Sequence, residues 1–469
     1  MDSSALAKLV GYGASHGFDS ILVTRRGRIV EEAYYAPYAA DIPHQIQSST
    51  KAVIGTLTGI MLNDGLLDRL DRPVLDFFAD RRVANVDDRK KAISVQNLLD
   101  MTSGFDWDQG FENGKEQSLI DLDQSANKIQ FMLDTPMAHA PGEVFNYSDA
   151  NPHLLSAIIA KMTGRIAEDY AREKLFSPLG IVDWHWDRDP QGLTIGQWTL
   201  TLLPRDMAKI GYLYLRHGEW EGKRLLPLGW ADVLSHATVN MHASFDPGLR
   251  YSNFFWVFPE NHVFMAVGWH GQLIAVFPEL DIVAVVTAHR FVPFHDVIDG
   301  VFAAVKSESA LPPNPNAAEA LAAAIQDAAV EKPTAIGSRP ETASLVSGKT
   351  YVFPDNPLGI KSLALLVADP RPRFAFELAS RDLPNSSVAY EIPIGLDGLY
   401  SKAITSSGPG HISGYKGTWL NGQTYEIDAR DLGYGGERKL LLSFSGEKLN
   451  FRYTTEHGRE VSVDGEQSD

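Results

Sequence analysis

Near residue 310 the sequence changes character, and the change limits the chain to folds built from more than one unit. "LPPNPN" (311–316) breaks regular structure, "AAEALAAAIQDAAVE" (317–331) is an alanine-rich helix, and Pro333 ends it. Proline has no backbone N–H to give and clashes with a continuing helix, so this stretch reads as a semi-rigid linker. Ahead of it, helical and strand patterns are mixed. Behind it, "RFAFEL", "TYEIDA" and "LNFRYTT" alternate apolar and polar positions, and Asn421-Gly422 between "TWL" and "QTYEI" is a strong hairpin signal. A chain of 469 residues also exceeds what one core usually serves. The expected organisation is a mixed domain over 1–308, a Pro/Ala-rich linker with a helix over 309–340, and a small β-barrel or sandwich over 341–469.

Several elements of the first part can be placed. "SILVTRRGRIVEEAYY" reads as a hairpin turning at Arg25 to Arg28. "TKAVIGTLTGIMLNDG" reads as a buried helix, because Val53, Ile54, Leu57, Ile60 and Met61 recur at spacings of three and four, and Gly65 suits a left-handed C-terminal position. "HLLSAIIAKMTG" is a second such helix, closed by Gly164. "QLIAVFPELDIVAVVTAH" predicts two strands around a turn at Pro278 to Asp281. No internal repeat is visible.

Composition removes several function classes. The net charge of −17, with no basic stripe interleaved with aromatics, argues against nucleic acid and against an anionic membrane surface. No apolar run is long enough to span a bilayer. The N-terminal "MDSSALAKLVGYG" lacks the pattern of a signal peptide, so the expectation is a cytoplasmic protein, or an exported one whose signal is already gone. Without cysteine there is no disulfide, thiolate metal site or cysteine nucleophile. The histidines form no ligand-spaced cluster and no phosphate-binding loop occurs, so neither metal nor cofactor is expected.

What remains is a search for a nucleophile. Ser-x-x-Lys occurs three times, at Ser48/Lys51, Ser125/Lys128 and Ser445/Lys448. The last lies in a tight turn between strands, with Lys448 solvated. Ser125 reads as a helix N-cap and Lys128 as an exposed first-turn residue. Ser48 differs, because it precedes a helix that is apolar nearly all round. Lys51 shares its face and is drawn inward with it, which is costly for a lysine without a partner and a task. The start of that helix also offers backbone N–H groups and a positive dipole end to an oxyanion. A capping serine followed by a plain lysine stays open as the alternative. A rival, "GASHG" around Ser15, has the Gly-x-Ser-x-Gly spacing, but a nucleophile elbow needs a strand before the serine and a helix after it, and here the order is reversed.

Two further segments carry chemistry. In "APGEVFNYSDANPHLLSAI", Tyr147 sits at a loop mouth before a helix; a lone tyrosine there could equally be packing. In "VGWHGQLIAVFPELDIVAVV", Gly268 and Gly271 bracket Trp269 and His270 at the head of a strand, a sign of close backbone approach.

Taken in order, Ser48-Ser-Thr-Lys51, Tyr147-Ser-Asp149 and Trp269-His-Gly271 resemble the three motifs of the β-lactamase-like serine hydrolases. That family includes class C β-lactamases, DD-peptidases, D-amino-acid peptidases, β-lactamase-type carboxylesterases and 6-aminohexanoate-dimer hydrolases. The resemblance covers roughly residues 10–308 and is reinforced by "NLLDMTSGFDWD" and "LLPRDMAKIGYLYLRHGEWEGKRLLPLGW". It implies an α+β fold, the β-lactamase/transpeptidase-like antiparallel sheet flanked by helices with a helical subdomain; the C-terminal β domain lies outside this core. It further implies Ser48 as the acylated nucleophile, Lys51 and Tyr147 as its activators, and an oxyanion hole from the backbone N–H groups of Ser48 and Gln272. Asp149, Trp269, His270 and Gly271 would border the substrate.

Two departures from the family pattern narrow the substrate. Asp149 stands where many penicillin-recognising members have asparagine, whose amide can donate to a substrate carbonyl; an ionised aspartate cannot. Trp269 stands where a lysine commonly attracts a substrate carboxylate. Both point to a small-molecule ester or uncharged amide, with a penicillin-recognising enzyme and a non-catalytic binding protein as the alternatives.

Overall fold

The computed structural model describes the chain apart from residues 112, 242–247, 335–338, 381–385, 405–411, 455–459 and 469. It divides into two compact units, Met1–Tyr34 with Pro43–Ile325, and Tyr35–Ile42 with Gln326–Asp469.

The first unit is built on an eight-stranded antiparallel sheet. Helix α1 (Ser3–His16) leads into β1 (Phe18–Arg25) and β2 (Arg28–Tyr34), joined by a turn in which Arg26 and Gly27 both take positive φ. That is the turn geometry that matches strand twist, and the glycine adopts it without a Cβ clash. Helices α2 (Thr50–Asn63), α3 (Ala150–Thr163) and α4 (Pro204–Leu215) follow. The chain then adds β3 (Val239–Asn240), β4 (Arg250–Ser252), β5 (Phe255–Phe258), β6 (Val263–Gly268), β7 (Gln272–Phe277) and β8 (Ile282–Ala288). Across the sheet the order is β2-β1-β8-β7-β6-β5-β4-β3.

Helices cover both faces, which is why β7 and β8 are apolar without alternation. Helix α4 comes so close to the sheet that a Cβ on Gly211 would lie 2.6 Å from Val283 Cγ1. On the opposite face lies α5 (Phe294–Ala304), with Phe302 packed edge-on to Phe277. Helix α2 is buried from Thr50 through Met61, as its apolar circumference demands, and Gly65 just past its end has φ +71°.

The linker helix α6 (Pro315–Ala328) straddles the division between the units at Ile325/Gln326. In the second unit ten strands form one antiparallel meander: β9 (Thr350–Val352), β10 (Ile360–Leu366), β11 (Arg373–Ala379), β12 (Ser387–Pro393), β13 (Ser401–Ile404), β14 (Ile412–Trp419), β15 (Thr424–Leu432), β16 (Glu437–Ser445), β17 (Lys448–Thr454) and β18 (Glu460–Gln467). The first strand, β9, pairs with the last, β18, and Gly395 just beyond β12 bridges to Lys416 of β14, giving a barrel-like closure. Inward positions such as Tyr351, Leu363, Tyr425, Ile427, Leu442 and Leu449 make its core. Asn421-Gly422 does join two strands, but Gly422 needs no positive φ; the Asn421 side chain instead accepts from the N–H groups of Gln423 and Thr424.

Two expectations differ from the structure. Tyr35–Ile42 groups with the second unit, where Tyr38 and Ile42 pack on Leu432, although the linear boundary put it in the first domain. And Lys128 is buried, not exposed: its ammonium donates to the Leu122 carbonyl, while Asn127, not Ser125, caps the following short helix.

Candidate active site

Ser48 lies in a tight helical turn, Gln47–Ser49, that feeds directly into α2. Gln47, immediately before it, is held at φ 51°, an uncommon conformation for a side-chain-bearing residue and one that clusters at functional sites. Neighbouring contacts hold the turn. Ser49 Oγ donates to the Gln272 carbonyl at 3.1 Å, and Thr50 Oγ1 donates to the Trp198 carbonyl at 3.2 Å.

Lys51, in the first turn of α2, is 1% exposed. Its Nζ is 2.8 Å from Ser48 Oγ, 2.9 Å from the Gln197 carbonyl and 2.8 Å from Asp149 Oδ1. It also sits 5.0 Å from the centre of the Tyr147 ring. Burial by itself pushes the lysine pKa down, since the charged form loses its hydration. The Asp149 carboxylate, with Tyr147 adding to it, outweighs that and holds the lysine above its ordinary value.

Asp149 stands at the N-terminal end of α3 but makes no side-chain capping bond there. Its carboxylate turns to Lys51, and its own N–H donates to Gln109 Oε1. Tyr147 is buried at 7% exposure, edge-on to Phe111 with centroids 5.5 Å apart and to Tyr251 at 6.5 Å. A cavity of about 470 Å³ opens beside it, with Trp107, Phe111, His139 and Phe145 in its wall.

The third segment is the connection between β6 and β7. Gly268 is pressed against the residues before Ser48: a Cβ there would fall 2.3 Å from the Ile46 carbonyl oxygen and 3.0 Å from Gln47 Cβ. Trp269, His270 and Gly271 make the turn, His270 at φ 63° and Gly271 at φ +100°, and Trp269 is 63% exposed. Gln272 is buried and points inward, its Nε2 donating to the Ala288 carbonyl. The structure thus places Ser48, Lys51, Tyr147 and Asp149 in one cluster and the Gly268–Gln272 turn beside the chain that precedes the serine.

The other serines stand apart from such a cluster. Ser15 is in the last turn of α1, exposed, with its hydroxyl donating to the Tyr12 carbonyl. Ser445 and Lys448 pair across the β16–β17 turn, with Lys448 73% exposed.

One participant carried no sequence signal. Gln197 meets Lys51 through its backbone carbonyl, and its loop is pinned to α3. Gly196 donates its N–H to His153 Nδ1, His153 Nε2 donates to the buried Asp189 carboxylate, and a Cβ on Gly196 would lie 2.3 Å from the Pro152 carbonyl. "TIGQWTL" contains nothing that announces this, because every residue type has a carbonyl.

A buried lysine thus lies between a serine hydroxyl and a carboxylate, with a buried tyrosine beside it, at the start of a buried helix. The comparisons agree at the level of family. The Beta-lactamase family model matches residues 10–306. The 6-aminohexanoate-dimer hydrolase of Paenarthrobacter ureafaciens is 24% identical over 286 residues, covering 57% of this chain and 71% of that protein. Among solved structures, the octameric penicillin-binding protein homologue from Pyrococcus abyssi aligns with 99% of this chain and 100% of its own at TM-score 0.52 and 17% identity. EstCE1, a hydrolase with promiscuous acyltransferase activity, aligns with 70% of this chain and 99% of its own at TM-score 0.53 and 17% identity. Motif order, sheet topology and a family match spanning almost the whole first unit converge, and the chain belongs to the Beta-lactamase family.

Proposed function

We propose that this protein is a serine hydrolase that cleaves an ester or an uncharged amide through an acyl-enzyme on Ser48. The observation that carries this reading is the contact of Lys51 Nζ with both Ser48 Oγ and Asp149 Oδ1 in a buried site. A neutral amine in this position would give its two hydrogens to Gln197 and Asp149 and offer its lone pair to the serine. The Asp149 charge favours the other state, an ammonium that donates to Ser48 Oγ. Tyr147 then takes the serine proton as Oγ attacks the carbonyl, and returns it to the leaving group. The developing oxyanion is received by the Ser48 N–H and a backbone N–H of the Gly268–Gln272 turn, each donor being worth about 10²–10³ in rate. Water attacks the acyl-enzyme by the reverse path.

The ester or neutral amide preference follows from two residues. Asp149 is engaged with Lys51 and has no amide to offer a substrate carbonyl. Trp269 presents an indole where a cation would attract a carboxylate. The test is mass spectrometry after reaction with a p-nitrophenyl phosphonate, alongside p-nitrophenyl butanoate turnover, in the wild type and in Ser48→Ala. Labelling of a Ser48 peptide, with turnover lost in the variant and the fold kept, is expected. Full activity in Ser48→Ala would refute the assignment.

A further inference from the structure

Among the described residues, the four most exposed phenylalanine and tryptophan side chains are Phe291 at 73%, Trp269 at 63%, Phe111 at 50% and Trp198 at 43%. Scattered over a surface they would need no explanation. Each is instead tied, directly or through a chain neighbour, to the Ser48–Lys51–Tyr147 cluster or to the Gly268–Gln272 turn beside it. Phe111 stands perpendicular to the Tyr147 ring. Trp198 follows Gln197, the residue that meets Lys51, and its own carbonyl is held by Thr50. Trp269 follows Gly268, which lies against Ile46 and Gln47. Phe291 precedes Val292, whose Cβ would be 2.7 Å from a Cβ on Gly271. All four keep a large part of their surface open to solvent.

We propose that these four rings form an apolar rim that binds a long or bulky hydrocarbon portion of the substrate, so that the preferred substrates are lipophilic esters or amides. This rests on the reading of Ser48 as nucleophile. Large exposed apolar groups gathered at one place mark a ligand or interaction surface, and these four are carried by segments that adjoin the candidate site. Lys51, the cation in contact with Ser48, is already paired with Asp149, which disfavours an anionic acyl group there. Aromatic rings can also hold a cation, and the test separates that case.

The experiment measures kcat/KM for p-nitrophenyl acetate, butanoate and octanoate, and for butyrylcholine against its neutral isostere 3,3-dimethylbutyl butanoate. Complete transfer of a methylene from water is worth about a factor of four in rate, and partial cover about two. Four added methylenes from butanoate to octanoate should therefore raise kcat/KM at least about tenfold. Trp269→Ala and Phe291→Ala should each lower the octanoate-to-butanoate ratio, with Trp269→Phe restoring part of it. These side chains are largely in solvent, so the variants should fold; circular dichroism checks it. Equal kcat/KM for butanoate and octanoate would overturn the rim while leaving the hydrolase intact. A marked preference for butyrylcholine over its isostere would overturn the apolar assignment in favour of a cation site. No turnover of any ester, with Ser48 unlabelled by a phosphonate, would instead bring down the underlying hydrolase reading.

Discussion

Replacing Asp149 by asparagine tests how the lysine is held. The carboxylate oxygen is 2.8 Å from Lys51 Nζ, and the lysine is 1% exposed. Two unit charges at that separation, in an effective dielectric of about 20, attract by roughly 6 kcal/mol. Asparagine keeps the shape and one acceptor but removes the charge, so most of that attraction goes. A buried ammonium left without its partner costs about 3–5 kcal/mol, and the lysine relieves the cost by releasing its proton. The sign follows directly. Asp149 raises the lysine pKa against the downward pull of burial. Without it, Lys51 gives up its proton more easily, and the acid limb of kcat/KM moves to lower pH. Serine activation also loses its lysine ammonium, so kcat falls by about 10²–10⁴-fold, the contribution of a positioned acid or base. The assay is a pH–rate profile with p-nitrophenyl butanoate in both proteins, with thermal melts to confirm folding. An unmoved acid limb in Asp149→Asn would refute the claim that Asp149 keeps Lys51 charged, and with it the case for tyrosine as base.

Glu31 on β2 is 2% exposed, and burial pushes its pKa from 4.5 to about 8. The folded state therefore binds more proton than the unfolded one between those values, and stability falls as pH rises through that window, by roughly 5 kcal/mol in all. Urea unfolding should accordingly find Glu31→Gln little changed near pH 5 and clearly more stable than wild type near pH 9. Tryptophan fluorescence is a suitable probe, since eight of the nine tryptophans precede residue 270; parallel curves would count against the buried carboxyl. Gly268→Ala should cut kcat/KM by about 10² or more, the scale of a lost oxyanion donor, because its Cβ would collide with the Ile46 carbonyl and shift the serine turn; an unimpaired variant would separate that strand from the site. A cephalosporin should be turned over poorly. The lysine and asparagine contacts absent here are worth about 1.5–3 kcal/mol each, hence roughly 10²–10⁴ in kcat/KM relative to a good ester, and comparable values for the two would refute the substrate preference.

Short-range chemistry was legible in the sequence. Arg26-Gly27, Gly65, Gly164 and the Pro278–Asp281 turn ended or reversed elements where the chain does so. The apolar circumference of α2 predicted its burial, and with it a lysine forced inward beside Ser48. These follow from local sterics and from the 3.6-residue period, which operate within a few residues. The same locality misled at Lys128, whose burial depends on the Leu122 carbonyl folding back over it.

Tertiary structure alone decided the rest. Nothing near Asp149 in sequence distinguishes a helix cap from a lysine partner; the choice depends on α2 lying alongside, about a hundred residues away in the chain. Gln197 reaches Lys51 through a carbonyl that all residues share, brought there by a glycine with no room for a side chain and a buried His153–Asp189 pair. Tyr35–Ile42 joins the second unit because its apolar side chains find Leu432, almost four hundred residues on. Such contacts are set by which surfaces meet on folding, and the residue types that make them are the same ones that elsewhere do no more than pack or face water.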